Sequence, residues 1–206
     1  VVGGGSGGHV TPVLAVAREI LKIRPRTKIE FWTDKKYYKN ARKLMVENGM
    51  DLRVRRIAAG KLRRYTNFTF ITYLRNFDVV LKNIVDFFKI IGGFIQSFFR
   101  LLFNRPDVIF LKGGYVCLPV GVVARFLRIP YVIHDSDAVP GLTNRVLSKH
   151  AAKIATGMPL EYYSYPEGKA EWTGIPINEE FVPASAAKQK IAKRELGFDA
   201  DEPLVV

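Results

Sequence analysis

The first twenty residues, VVGGGSGGHVTPVLAVAREI, constrain the fold more than any other stretch of the chain. An apolar strand end runs into five glycines and Ser6 between Gly3 and Gly8, then His9, then an amphipathic segment. That order places bare backbone N–H groups at a helix N-terminus, where the helix dipole favours an anion. The glycines let the loop take angles other residues resist and let a phosphate come close. Gly3, Gly5 and Gly8 also meet the dinucleotide spacing G-x-G-x-x-G. His9 adds a titratable group where a phosphate or sugar would lie. By itself the motif also admits a plain glycine turn with a structural histidine.

At 206 residues and 48% hydrophobic content, the chain has room for one good-sized domain with a real core, plus the start of another. The net charge of +13 speaks of anionic partners: nucleic acid, phosphorylated substrates or an acidic membrane surface. The single cysteine, Cys117, excludes an internal disulfide framework and a multi-cysteine metal site, and suits a reducing compartment. No carboxylate cluster calls for a metal, and no cofactor is expected. The N-terminus has no signal-peptide pattern. It opens with two strand residues and no methionine, so we expect residues to be missing upstream.

Strand and helix patterns alternate along the chain. Thr11 and Pro12 open a helix whose apolar spacing runs from Val13 to Ile23. Strands are expected at Lys28–Thr33, Leu52–Ile57, Asp107–Leu111, Tyr131–Ile133, Lys153–Ala155 and Ala170–Trp172, with helices at Lys36–Glu47 and from Tyr115 to about Leu127. This predicts an α/β fold with a Rossmann-like, doubly wound parallel sheet. Ligands on such sheets lie at the carboxyl ends of the strands. The loop from Gly3 to His9, Lys112 to Tyr115, and His134 to Asp137 all fall there, so they are expected to share one cleft. Residues 1–174 form the expected domain. Residues 175–206 read as a linker, a charged helix from about Ala184 to Leu196, and the strand DEPLVV, which would begin a second domain absent from the chain.

Thr72 to Phe103 carries a narrow polar stripe at Arg75, Asp78, Lys82, Asp86, Lys89, Gln96 and Arg100, amid Phe, Ile, Leu, Val and Tyr. Gly92 and Gly93 are expected to bend or break this helix. Its longest uncharged run, Ile90–Phe99, is ten residues, against the roughly 20 needed to span a bilayer. Between Lys61 and Arg105, eight basic residues face two acidic ones. The combination predicts an interfacial segment that dips aromatics into lipid and holds anionic headgroups, with Phe87, Phe88, Lys89, Phe94 and Arg100 in contact. A core helix with a solvated polar face is the plainer reading. Nucleic acid is not expected, since no recognition module is present.

The segments GGGSGGHVTPVLAVA, LKGGYVCLPVGVVA, HDSDAVPGLTNRVLSKHA and TGIPI occur in the order and spacing of the MurG family, which the whole chain resembles. That resemblance implies the N-terminal half of a GT-B glycosyltransferase with two Rossmann-like domains and a cleft between them. It implies transfer of N-acetylglucosamine from UDP-GlcNAc to lipid I, a polyprenyl-diphosphate-linked acceptor, giving lipid II for peptidoglycan. The location implied is the cytoplasmic face of the cell membrane, as a peripheral protein, with the C-terminal donor-binding domain missing from this chain. By resemblance Ser6, Gly7 and Gly8 touch the donor, His9 is needed for activity, Tyr115 is functional, and Asp137 and Asn178 hold donor-contact positions. Thr11, Gly113, Gly114, His134 and Asn144 stand in the same motifs and complete the substrate-binding set. The chain departs from the family where His134, Asp135, Ser136 and Asp137 replace the usual HEQN, so an amide becomes a carboxylate that only accepts when ionised. Asn178 stands where arginine is common, and Cys117 where serine is common.

The implied chemistry is an inverting displacement at an anomeric carbon. A histidine, with an ordinary pKa near 6.5, suits the proton acceptor, so His9 is the expected base and Asp135 the reserve. Backbone N–H groups and helix dipoles would steady the departing diphosphate. Tyr115 is expected to position substrate, Cys117 to fill the core, and His134 to serve structure. Two other readings compete. A nicotinamide-dependent oxidoreductase would use Asp34, which lies beyond the usual offset of about 20 residues and leaves GGY and PGLTNR without a role. A non-enzymatic membrane-anchoring half of a split transferase requires the native chain to stop at Val206; we expect instead that it continues.

Overall fold

In a computed structural model of the chain, residues 1–61, 76–177 and 184–204 are described. Two compact units emerge, Val1–Pro176 and Ile177–Val206.

The first unit is a parallel sheet with helices on both faces. Its elements are α1 (Thr11–Ile23), β1 (Glu30–Thr33), α2 (Tyr38–Glu47), β2 (Arg53–Arg56), α3 (Phe77–Phe103), β3 (Ile109–Leu111), α4 (Cys117–Phe126), β4 (Tyr131–Asp135), α5 (Leu142–Leu147), β5 (Lys153–Thr156) and β6 (Ala170–Trp172). β1 pairs with β2, and β3, β4, β5 and β6 pair in sequence, all parallel. Val2 joins the two sets by bridging both Trp32 and Leu111. The order across the sheet is therefore β2, β1, the Val2 segment, β3, β4, β5, β6, and the winding reverses at Val2. That reversal is the crevice where open α/β sheets bind ligands.

Side-chain alternation explains the two-sided core. Phe31 packs with Val10, Val13 and Leu14 at α1 and with Ala41 and Met45 of α2 on one face. Trp32 turns to the other face, joining Leu101, Leu111, Val120, Ile133 and Ile154. Cys117 is buried there, its thiol donating to the Gly113 carbonyl at 3.0 Å, and burial pushes its pKa up to about 12. The buried-filler expectation for Cys117 therefore holds. At the β2 edge, Glu30 accepts from Arg55 Nε at 2.9 Å, so the edge strand is charged rather than sticky.

The double glycine does not break α3, which runs unbroken for 27 residues. The reason is tertiary: a Cβ on Gly93 would lie 2.2 Å from the Ala58 carbonyl oxygen, and one on Gly60 would lie 2.0 Å from the Asp86 carbonyl oxygen. Segment 58–60 thus rests directly on the helix backbone, and glycine permits the approach. Gly92 meets only ordinary contact, 3.6 Å from Ala58 Cβ. We therefore expect Gly93→Ala to destabilise by about 1–3 kcal/mol, whereas Gly92→Ala, which gains helix propensity, stabilises by up to about 1 kcal/mol. Thermal denaturation of the two variants checks the opposite signs.

The orientation of α3 corrects part of the plain reading of its polar stripe. Asp86, Gly93, Ser97 and Leu101 are the buried positions, with Asp86 only 5% exposed. Gln96 accepts from the Ala58 N–H at 2.9 Å, and Arg100 donates to the Arg56 carbonyl at 2.6 Å while lying over the Trp32 ring. Asp86 and Arg100 thus turn inward and Gln96 reaches the 58–60 segment, while Asp78, Lys82 and Lys89 stay solvated as the plain reading has it. Phe77, Leu81, Ile84, Phe88, Ile91, Ile95, Phe99 and Leu102 are exposed, at steps of three and four along one outer face. Phe94 is corrected from lipid contact to core packing, because it lies on the inner side. No helix among the described residues is long and apolar enough to cross a membrane.

The second unit contains α6 (Ala186–Glu195), two residues shorter at its start than predicted, with Ser185 accepting from the Lys188 N–H as its N-cap. Asp201 and Glu202 form a bend rather than a strand, and Val205 and Val206 lie outside the described residues.

Candidate functional site

Three strand-end segments converge on a cleft of about 840 Å³, as their positions predict. Gly4, Gly5, Ser6 and His9 line it from the first loop, Lys112, Gly114 and Tyr115 from the end of β3, and Asp135, Ser136 and Asp137 from the end of β4. Asn144 closes it from α5. Gly7, Gly8, Thr11, Gly113 and His134 do not line this cavity. Gly7, Gly8 and Thr11 are exposed beside it, Gly7 and Gly8 in a short turn (Gly7–His9) that leads into α1. Asn178 lies outside the described residues.

The glycines are held close by specific neighbours. A Cβ on Gly4 would meet Asp34 Oδ1 at 2.6 Å, and one on Gly5, whose φ is +83°, would meet the Tyr115 ring at 2.6 Å. Asp34 is nearly buried and accepts from the Gly5 N–H at 3.0 Å and the Lys36 N–H at 3.2 Å. This carboxylate pins the loop from within. Tyr115 reaches toward Asp34 Oδ2 at 3.5 Å, and burial together with Asp34 raises its pKa to about 12. It stays protonated at neutral pH.

His9 sits against Gly114, where a Cβ would lie 3.1 Å from its Cδ2. Its Nδ1 is enclosed and has no hydrogen-bond partner among the described residues. Burial and then the Lys112 charge push its pKa below the ordinary imidazole value, against the raising effects of Asp137, Asp135 and the Lys112 backbone. The ring is therefore neutral at pH 7, as a base must be.

Lys112 is 1% exposed at the floor of this cleft, donating to Ser136 Oγ at 2.6 Å. Burial lowers its pKa, and Asp135 and Asp137 oppose that. Asp135 is buried too, with its carboxylate accepting from Tyr165 Oη at 2.6 Å and the Asp137 N–H at 3.1 Å. Each oxygen accepts one hydrogen bond, which braces the turn, and the carboxylate also lines the cleft. His134 is buried with Nε2 2.9 Å from the Gly174 carbonyl, which fits its structural reading. Asn144 is also buried, and its Oδ1 has no partner among the described residues.

The strand-end positions place Lys112 and Ser136 in the cleft without a role, Asp34 is weighed only for the oxidoreductase reading, and Tyr165 is missed. The signal for Lys112 is a lysine directly after the unbroken apolar strand DVIFL. Removing its charge by Lys112→Met takes a repelling cation away from His9, so the His9 midpoint should rise toward 6.5. An NMR pH titration of the imidazole reads this directly. An unchanged midpoint would remove Lys112 from the electrostatics of the site.

The fold and its loop define a Rossmann-like α/β domain with a ligand cleft at the switch point of the sheet. The chain belongs to the glycosyltransferase family 28 N-terminal domain family, which matches residues 1–156. It is 34% identical over its whole length to the UDP-N-acetylglucosamine-N-acetylmuramyl-(pentapeptide) pyrophosphoryl-undecaprenol N-acetylglucosamine transferase of Clostridium kluyveri, covering 52% of that protein. It is 35% identical over 98% of its length to a transferase of the same name from Bacillus thuringiensis strain Al Hakam, covering 51%. The chain thus spans about half the length of the curated relatives it matches. The crystal structure of Acinetobacter baumannii MurG superposes with a TM-score of 0.64 at 22% identity, over 98% of this chain and 49% of that one, which shows a shared fold.

Proposed function

We propose that this chain is the acceptor-side half of an inverting glycosyltransferase that moves N-acetylglucosamine from UDP-GlcNAc to lipid I, forming lipid II. The observation that carries this reading is the cleft itself: a neutral imidazole and a buried ammonium meet under a glycine loop at the sheet's switch point. The whole-length likeness to the two transferases supports the choice of substrates.

In this mechanism the acceptor hydroxyl attacks the anomeric carbon, the bond from that carbon to the UDP oxygen breaks, and UDP departs with the electron pair. His9 takes the hydroxyl proton. Tyr115 and Asn144 orient the acceptor, while Ser6 and the exposed N–H groups of Gly7 and Gly8 face phosphate oxygens. Lys112 supplies fixed positive charge that needs no rearrangement during the reaction. Asp137 and Asn178 contact the donor, whose other contacts come from a C-terminal domain.

The outer stripe of α3 fits the surface of an anionic membrane in this reading, at the cytoplasmic face where the polyprenyl chain of the acceptor would be held. Phe88 is 66% and Phe99 52% exposed, and the surrounding sequence is basic. Lys89 pairs with Asp86 at 2.8 Å and Arg100 is turned inward, so the apolar residues rather than these two cations make the contact.

Calorimetric titration of the chain with a short-chain polyprenyl-diphosphate muramoyl-peptide analogue tests the assignment. Saturable binding that weakens at least tenfold in Asn144→Ala is expected. Equal affinity in that variant would place the acceptor elsewhere.

A further inference from the structure

A second cavity, of about 950 Å³, opens beside the glycine cleft and takes no part in the chemistry above. It lies at the carboxyl ends of β1 and β2, walled by residues 56–59 and Lys61 and by the inward side of α3. Gly5, Lys61 and Tyr115 line both cavities, so the Tyr115 ring seated on Gly5 is the partition between them.

Its lining is strongly cationic. Lys35, Lys36, Arg56, Lys61, Lys89 and Arg100 face two carboxylates, Asp34 and Asp86. Both acids are already engaged, Asp34 by the Gly5 and Lys36 N–H groups and Asp86 by Lys89 Nζ at 2.8 Å. The walls are fixed as well. Gln96 accepts from the Ala58 N–H, Arg100 clasps the Arg56 carbonyl, and Arg56 lies over Tyr38 at 5.2 Å. Lys89 is balanced by Asp86, but Lys35, Lys36, Arg56 and Arg100 still give the hollow an excess of positive charge, and a cleft lined by one sign of charge concentrates counter-ions of the other. The α3 polar stripe thus supplies four cavity residues, Asp86, Lys89, Gln96 and Arg100, while the outer face of the same helix stays apolar.

We propose that this second cavity is a separate binding site for a phosphate-bearing group. The same chemistry is offered by a free diphosphate and by the headgroup of an anionic phospholipid. The site does not depend on glycosyl transfer, so its test stands apart from that reading.

The experiment is an NMR titration of the chain with inorganic pyrophosphate. Saturable shifts at the amides of Lys35, Lys36, Ala58 and Ala59 are expected, persisting in His9→Ala and weakening at least tenfold in Lys35→Gln/Lys36→Gln. Both lysines are exposed, so the double variant keeps its fold, which circular dichroism verifies. The source is then resolved with phosphatidylglycerol vesicles. If pyrophosphate competes with them and the double variant binds them at least tenfold more weakly, the site takes the lipid headgroup. If vesicle binding is untouched while pyrophosphate binding falls, it takes the free anion. Shifts confined to residues 4–9 and 112–115, or equal pyrophosphate affinity in the double variant, would overturn the proposal.

Discussion

If the proposed transfer is right, replacing His9 with alanine in a protein that carries this chain and a donor-binding domain lowers kcat for UDP-GlcNAc and a lipid I analogue by about 10²-fold or more, the usual worth of a positioned general base. KM for the donor should change little, because His9 acts on the acceptor hydroxyl and not on the nucleotide. The environment argues for this size of effect. Gly114 brings the ring close because any Cβ there would crowd it, and burial with the Lys112 charge keeps it neutral at pH 7. The sign of the pH dependence follows. Since the His9 pKa lies below the ordinary value, activity should hold through pH 6.5 and fall only as the ring protonates at lower pH. Steady-state kinetics across pH 5–8 would read both effects, the range bracketing the ordinary imidazole pKa of about 6.5. Turnover within twofold of the parent would take the base role away from His9 and pass it to Asp135, which lines the same cleft.

The second large effect is expected at the membrane. Changing Phe88, Ile95 and Phe99 together to serine should release the protein from phosphatidylglycerol vesicles, lowering partition by about two orders of magnitude. The three lie on one outer face of α3 and are each more than half exposed. A loss of only about 1 kcal/mol of apolar burial per side chain gives a combined factor of roughly 10². Folding should survive, since substitutions at exposed positions away from caps and networks change stability by about 0.5 kcal/mol or less. A parallel Phe94→Ser variant discriminates the two sides of the helix: it should lower the melting temperature, because Phe94 packs on the core. Vesicle sedimentation with a melting curve for each variant separates the outcomes. Full retention by the triple variant would reassign the stripe to a protein contact.

Local signals made much of this architecture readable. Pro12 and the spacing of Val13, Leu14 and Ala17 locate α1, and the apolar run DVIFL locates β3, each trimmed by only a residue or two at the edges. The three strand-end segments converge because a parallel doubly wound sheet allows little else. Direction and distance were not readable. Periodicity in α3 identified a polar stripe, yet nothing local says whether a stripe faces water or the protein, and part of it turns inward to meet Ala58 and Arg56. Gly93 looked like a break because its partner, the Ala58 carbonyl, is 35 positions away. The bond from Tyr165 that braces Asp135 was not readable because Tyr165 lies 30 residues further on. The strand end places Lys112 in the cleft but not its burial, because lysine is rarely buried and its partner Ser136 belongs to another strand end.

In the proposed reaction the glycine-loop cleft presents a lipid-linked acceptor to a nucleotide sugar, and His9 removes the acceptor proton. Following the complete protein with UDP-GlcNAc and a lipid I analogue by NMR tests this most directly, since it reports product, leaving group and anomeric configuration together. The account predicts a β-linked N-acetylglucosaminyl product and one UDP per transfer in the parent, with both lost in the His9→Ala variant. Retention of the α configuration, or full transfer by His9→Ala, would contradict it.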